Sequence, residues 1–331
     1  MIGIRCFVVD VKKDSDAEKK GLKVGDEIVG IGKIAPDRKN LWKIEYLLYA
    51  LDPKETLELF ILDANGTERS LQIRAVFKTP EEREKELKNR REKKKTDPYE
   101  CRSLNAELIA CKLRTFSIDK KYIDKMMSEV GSHKKMILDL RGNHGGFVKI
   151  EEYLTGYFFD REVKIATFTL RDKTSDRIAK PQKGKVYKDE LIPLIDSESA
   201  SASEVFARVI QLEKRGRIFG DVSAGAVMTS IFIPLANVRG PTDFITYSFY
   251  GVSVTVGDLV MSDGNRLEDK GVIPDFLMGP TADALAKKYD PVLGYVLEVF
   301  GTKITDAEAG QFYFLTPKPE DEDEEKDEVE N

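Results

Sequence analysis

The stretch Leu191–Glu213, LIPLIDSESASASEVFARVIQLE, limits the possible folds of this chain more than any other. Leu191–Ile195 is an unbroken apolar run, the pattern of a strand covered on both faces. A turn of small residues follows, Ser197-Glu198-Ser199-Ala200-Ser201. Ala202, Val205, Phe206, Val209 and Ile210 then recur at helical spacing. Strand, tight turn and helix together lift a serine hydroxyl clear of a sheet and set it on a helix N-terminus, where unpaired N–H groups favour a developing oxyanion. The same residues also spell a capping box, Ser201 at the N-cap and Glu204 at the third helical position. Taken alone, the stretch leaves both readings open.

The 331 residues are enough for two domains, one with a large core. A charged fraction of 34% and a net charge of −5, with basic and acidic residues interspersed, give no reason to expect a nucleic-acid partner. No apolar run is long enough for a membrane-spanning helix. No charged-then-apolar leader precedes the first strand pattern, so the chain as it stands reads as cytoplasmic, or as a cell-envelope protein from which a leader has been trimmed. Cys6, Cys101 and Cys111 are an odd set at unrelated spacings, which argues against both a disulfide framework and a zinc site; no metal or organic cofactor is expected. His133 and His144 are the only histidines.

In chain order, residues 1–78 read as a first domain. A strand begins at Cys6, and a short helix ends at Gly21. Gly25-Asp26 makes a turn, Glu27–Ile31 is a strand and 41–51 an amphipathic helix. Asp63-Ala64-Asn65-Gly66 then forms a hairpin turn. Residues 79–100 are charge-dense and read as an exposed helical linker. Residues 101–301 alternate strands and helices, the signature of an α/β core, with a glycine-rich turn at Arg141-Gly142-Asn143-His144-Gly145-Gly146. Residues 302–331 end in an acidic, nearly apolar-free tail of disordered composition.

The core Gly21-Leu22-Lys23-Val24-Gly25-Asp26 resembles a PDZ domain of the bacterial protease type, with Asp16 and Lys20 departing from its pattern. That resemblance implies a peptide docked as an added strand along Gly3, Ile4 and Cys6, by its C-terminus where the carboxylate loop is complete. Asp139-Leu140-Arg141-Gly142-Asn143, Gly145-Gly146, the Ser201 helix start and the Asp263–Asp275 segment follow in order. Together they resemble the carboxyl-terminal processing, or tail-specific, serine peptidases. The implied fold class is α/β, a PDZ-like domain followed by a helix-flanked, crotonase-like peptidase core. The implied nucleophile is Ser201, with oxyanion donors at Ala202 and at Gly145 or Gly146. The implied substrate is unstructured or C-terminal polypeptide.

The family's usual general base is a lysine, and Ala226 stands at its position, with Ser230 where a glutamine follows. Tricorn-type relatives use a histidine and a late acidic residue instead; those positions fall on Lys112 and near Asp258. Three readings therefore compete. Lys112 replaces the histidine and is oriented by Asp258; His144 swings toward Ser201; or the chain is a catalytically silent peptide-binding scaffold. For Lys112 the plainer expectation is an edge-strand lysine reaching solvent, and for Asp258 a surface carboxylate.

Overall fold

The computed structural model describes residues 1–51, 54–76, 79, 81, 97–239 and 245–312. Most of the expected linker helix and all of the acidic tail lie outside these. The chain divides into two compact units, Met1–Asp97 together with the residues from Met278 onward, and Pro98–Leu277. The sequence reading ends the core domain at 301, whereas the second unit ends at Leu277.

The first unit is built on an antiparallel sheet in the order β1 (Cys6–Phe7), β2 (Glu27–Ile31), β3 (Thr56–Leu62), β4 (Glu68–Arg74). α1 (Asp16–Lys19) starts where Ser15 Oγ accepts from the Glu18 N–H at 3.1 Å. α2 (Leu41–Tyr46) runs on into a π-turn over Leu47–Leu51. The expected β3–β4 hairpin closes through Asp63, whose Oδ1 accepts from the Asn65 and Thr67 N–H groups at 2.8 and 2.9 Å. The helices Ala282–Ala286, Pro291–Val299 and Asp306–Gly310 belong to this unit. Gly25, at φ +92°, explains part of that assignment: a Cβ there would lie 2.5 Å from the Ala282 carbonyl, so only glycine permits the contact.

The second unit holds a six-stranded sheet. Its chain order is β5 (Tyr99–Ser103), β6 (Leu108–Leu113), β7 (Lys135–Asp139), then, after an intervening hairpin of β8 (Val163–Leu170) and β9 (Thr174–Ala179), β10 (Glu190–Ile195) and β11 (Phe219–Gly220). β12 (Thr229–Arg239) and β13 (Ile245–Met261) join β8 and β9 in a four-stranded antiparallel sheet ordered β12-β13-β8-β9. β14 (Phe276–Leu277) completes the larger sheet, ordered β14-β11-β10-β7-β6-β5, parallel throughout except for the β5–β6 pair. All six residues of β6 are buried, as a strand covered on both faces requires. The helices α3 (Lys120–Val130), α4 (Val148–Thr155) and α5 (Ala202–Leu212) supply apolar faces to the core, including Ile123, Met126, Leu154, Phe206 and Ile210.

One sequence expectation is overturned here. Cys101 and Cys111 form a disulfide, in which Cys6 takes no part. The two are direct partners across the antiparallel β5–β6 pair, with Cα atoms 4.1 Å apart. Pairing register, which spacing in sequence does not reveal, brings the thiols together.

The topology fixes where chemistry can occur. Leu194 pairs with Asp139, and Ile195 pairs with Gly220. The carboxyl ends of β7, β10 and β11 are therefore level, and the loops 140–147, 196–201 and 221–228 leave the sheet side by side. The crevice outside the carboxyl ends of parallel strands is where open α/β sheets bind ligands.

Candidate active site

The loop after β10 ends on Ser201, the N-cap of α5, with φ +54° and ψ −118°. A non-glycine residue in this region costs about 1–3 kcal/mol and persists only where its surroundings over-determine it. Those surroundings are visible on both sides. The Ser201 N–H donates to the Ala226 carbonyl at 2.9 Å and to Glu204 Oε2 at 3.0 Å. Ala200 N–H and Ser203 Oγ both donate to the Asn143 carbonyl, at 3.0 and 2.8 Å. Ser199 Oγ donates to the Leu140 carbonyl at 2.9 Å. Of the serines flanking Ser201, Ser199 and Ser203 are buried and consumed by these bonds, whereas Ser201 is partly exposed.

Glu204 joins two loops. Its carboxylate accepts from Ser201 N–H, from Ala226 N–H at 2.9 Å, from Gly225 N–H at 2.7 Å and from Ser223 Oγ at 2.6 Å. Burial pushes this carboxyl above its ordinary range, while the Ser223 hydroxyl and the three amides pull the other way. Glu268 holds the next stretch of the same loop, accepting from Val227 and Met228 N–H at 2.8 and 2.9 Å. Asn143 plays the matching part in the glycine turn: its Nδ2 donates to the Leu113 carbonyl, and its Oδ1 accepts from Gly145 N–H, both at 2.9 Å.

Gly145, at φ +90°, lies directly against the serine. A Cβ at this position would sit 2.7 Å from Ser201 Cβ and 3.0 Å from the Ala202 nitrogen. Any side chain would cover the first open amide of α5. Gly146, at φ +145°, packs instead on the Phe116–Ser117 backbone, and its own amide donates to no group among the described residues. Among the described residues, then, the turn leaves the Ala202 and Gly146 amides open while the Gly145 amide is engaged by Asn143.

Lys112 is not an edge-strand lysine. β6 is an interior strand, and the side chain is 8% exposed. Its Nζ donates to Asp139 Oδ1 at 3.3 Å and to the Arg141 carbonyl. Burial lowers its proton affinity, and Asp139 opposes that effect. Arg141 completes the cluster with a bidentate pair to Asp139, at 3.0 and 2.6 Å. No hydrogen bond joins Lys112 to Ser201. Asp258, on β13, pairs with Arg266, whose Nε donates to Oδ1 at 3.2 Å and whose Nη2 donates to Oδ2 at 2.8 Å, and that arginine holds it below the usual carboxylate range. The structure thus does not bring Lys112 and Asp258 together: each is committed to another partner. Besides Glu204, the loop beside Ser201 is reached by Glu268, which stands in the Asp263–Asp275 motif and has no sequence signal separating it from its neighbours. Ala226 is exposed, with its backbone bonded to Ser201 and Glu204.

His144 is exposed in the glycine turn, while His133 is held by the Ser103 hydroxyl and the Val130 carbonyl. In the first unit, Gly3 accepts a bond from Arg38 at its carbonyl, Ile4 is 83% exposed, and Cys6 opens β1 at the sheet edge. Among the described residues, no group of three or more His, Cys, Asp or Glu side chains is placed to hold a metal ion.

The model of peptidase family S41 matches residues 110–278. A carboxy-terminal-processing protease from Bartonella bacilliformis is 26% identical over 220 residues, covering 65% of this chain and 48% of that protein. Carboxy-terminal processing protease CtpA from Bacillus subtilis is 24% identical over 187 residues, covering 50% of this chain and 38% of that protein. The chain spans about half the length, or less, of the curated relatives it matches. Among solved structures, mature CPAF complexed with lactacystin superposes with a TM-score of 0.58 at 15% identity, over 93% of this chain and 81% of that one. At that identity the likeness concerns the fold alone.

Proposed function

This chain belongs to peptidase family S41, and from that premise we propose that it cleaves unstructured or C-terminal polypeptide through an acyl-enzyme on Ser201. The observation that carries the reading is the backbone of Ser201. A strained serine at a strand-to-helix turn, with an open helix amide beside it and a bare glycine in front, is how an acyl-transfer site presents its nucleophile. Ser201 Oγ attacks the scissile carbonyl. The oxygen that becomes negative lies toward the Ala202 N–H and the glycine turn, where Gly145 leaves room and the Gly146 amide is available as second donor. Glu204, Asn143 and Glu268 are positioning residues: they fix the three loops and leave Ser201 Oγ to react. The first unit, read as PDZ-like, takes an extended peptide along Gly3, Ile4 and Cys6 by strand addition.

The test is labelling by a fluorophosphonate probe together with cleavage of casein, wild type against Ser201→Ala. Labelling that disappears in the variant supports the reading; casein cleavage at the wild-type rate by Ser201→Ala overturns it. A second reading, a catalytically silent peptide-binding scaffold, has one observation in its favour. Ala226 puts an exposed methyl group where the family carries its lysine, within one hydrogen bond of the Ser201 backbone. An inert wild type that gains activity as Ala226→Lys would establish that reading.

A further inference from the structure

We infer that His144 is the proton acceptor for Ser201. The inference rests on the acyl-enzyme reading and names the residue that reading lacks.

His144 lies between two residues that both touch the serine segment. On one side, the Asn143 carbonyl accepts from Ala200 N–H and Ser203 Oγ. On the other, Gly145 packs against Ser201 Cβ so closely that no side chain fits between them. The imidazole is therefore anchored on the loop that forms one wall of the serine cleft. It is exposed, and no hydrogen bond or ion pair holds it elsewhere among the described residues. Rotation about its own side-chain bonds is enough to change what it faces.

Most of the other ionisable groups near the cleft have partners. Lys112 is spent on Asp139 and the Arg141 carbonyl, and Arg141 on Asp139. Asp196 accepts from the Gly142, Glu198 and Ser199 N–H groups. Glu204 accepts from four donors, and Glu268 accepts from two amides on one of its oxygens. An acceptor must have an open lone pair, and the neutral imidazole offers one on a ring nitrogen, carried by the loop that packs directly against Ser201. The charged group facing this turn from the serine loop is Glu198, whose Oε2 is 3.8 Å from where a Gly142 Cβ would stand. On the sheet side, Lys112 and Arg141 lie buried and share the Asp139 carboxylate.

The step balances without a co-reactant. A ring nitrogen of His144 takes the proton from Ser201 Oγ as the oxygen attacks the carbonyl carbon, and the carbonyl π-pair moves to oxygen. When the tetrahedral species collapses, the C–N bond breaks, and the imidazolium returns the proton to the leaving amine. Water then repeats the sequence on the ester, with His144 accepting its proton.

The test uses the full chain and a fluorophosphonate probe, which reads serine reactivity without a known substrate. Labelling rates are measured from pH 5 to 9 for wild type, His144→Gln, and His144→Ala with and without added imidazole; thermal melts check folding. The expected result is a wild-type rate that rises through a single-proton transition, a loss of about 10²–10⁴-fold and of that transition in His144→Gln, and partial rescue of His144→Ala by imidazole. A wild type that labels at Ser201 while His144→Gln keeps both rate and pH profile overturns the inference and leaves the acyl-enzyme reading standing. A wild type that never labels overturns both. If His144→Gln melts early, the imidazole arm decides, because a purely structural loss is not rescued by free imidazole.

Discussion

Two groups of polar residues lie at the carboxyl ends of the same parallel strands, and they differ in how completely they are satisfied. Under the sheet end, Lys112, Asp139 and Arg141 are buried, and their charged atoms pair with one another or with a backbone carbonyl. One strand further on, Ser201 sits partly exposed on a strained backbone with an unpaired helix amide beside it. The first arrangement has nothing left to offer a substrate. In the second, the supporting residues Asn143 and Glu204 are engaged on both sides of the serine, and the reactive positions are the unsatisfied ones. Saturation thus separates structure from chemistry here better than residue type does, since a buried lysine beside a carboxylate is a common motif at active sites.

The largest expected effect breaks the saturated cluster. Asp139→Asn leaves two buried cations without a counter-charge, at a cost of about 3–5 kcal/mol. Lys112→Met leaves Arg141 paired with Asp139 and removes only the lysine's own bonds, at a cost of about 1–3 kcal/mol. Urea titration checks the order. Fluorophosphonate labelling per folded molecule is expected to stay at the wild-type level in Lys112→Met. A selective loss of labelling there, with stability kept, would return the lysine to the mechanism.

A smaller effect is expected at the disulfide on the sheet's outer strand. Cys101→Ser with Cys111→Ser opens a cross-link of sequence separation 10, for a loss of about 2–3 kcal/mol. Because β5 does not carry the serine cleft, labelling of Ser201 is expected to be unchanged by the double replacement or by a thiol reductant. Loss of labelling on reduction would show that the edge of the sheet communicates with the cleft.

These comparisons also show what was legible in the sequence. The apolar runs Leu108–Leu113, Lys135–Asp139 and Glu190–Ile195 announce buried strands, and the serine turn announces itself by small residues after such a run. β9, TSDRIA, is polar and largely exposed, so no apolar signal marks it. The partners of Lys112 are 27 and 29 residues away and adjacent only through strand pairing, which periodicity does not encode. Cys101 and Cys111 are equidistant from residue 106, in the turn between β5 and β6. Recognising that hairpin centre would have paired them. Asp258 and Glu268 are alike as letters; only the bonds from Val227 and Met228 distinguish the one that reaches the cleft.

The smallest effect, at pH 5, tests the comparison at its limit, with a carboxyl that is buried and paired but whose proton affinity burial raises to near neutrality. Glu151, on α4 just after the glycine turn, is fully buried; it accepts from Thr155 Oγ1 at 3.0 Å and pairs with Arg177 of β9. Burial pushes its proton affinity up to about 7, against the pull of Arg177. A carboxyl raised in the folded state binds its proton more tightly there than in the unfolded chain. Its contribution is fully present below the unfolded value and is lost as pH rises through the folded one. From the ordinary 4.5 to about 7, at roughly 1.4 kcal/mol for each tenfold change in affinity, the loss reaches about 3 kcal/mol for this group. Glu151→Gln keeps an acceptor for Thr155 and Arg177 and removes the titration. Its stability between pH 5 and 8 is therefore expected to lose the downward slope that wild type shows, while the absolute change at pH 5, where Glu151 is protonated, stays under about 1 kcal/mol. Melts at several pH values check this. An unchanged slope in the variant would mean that Arg177 keeps Glu151 ionised throughout, making this pair as silent as Asp139 with Arg141.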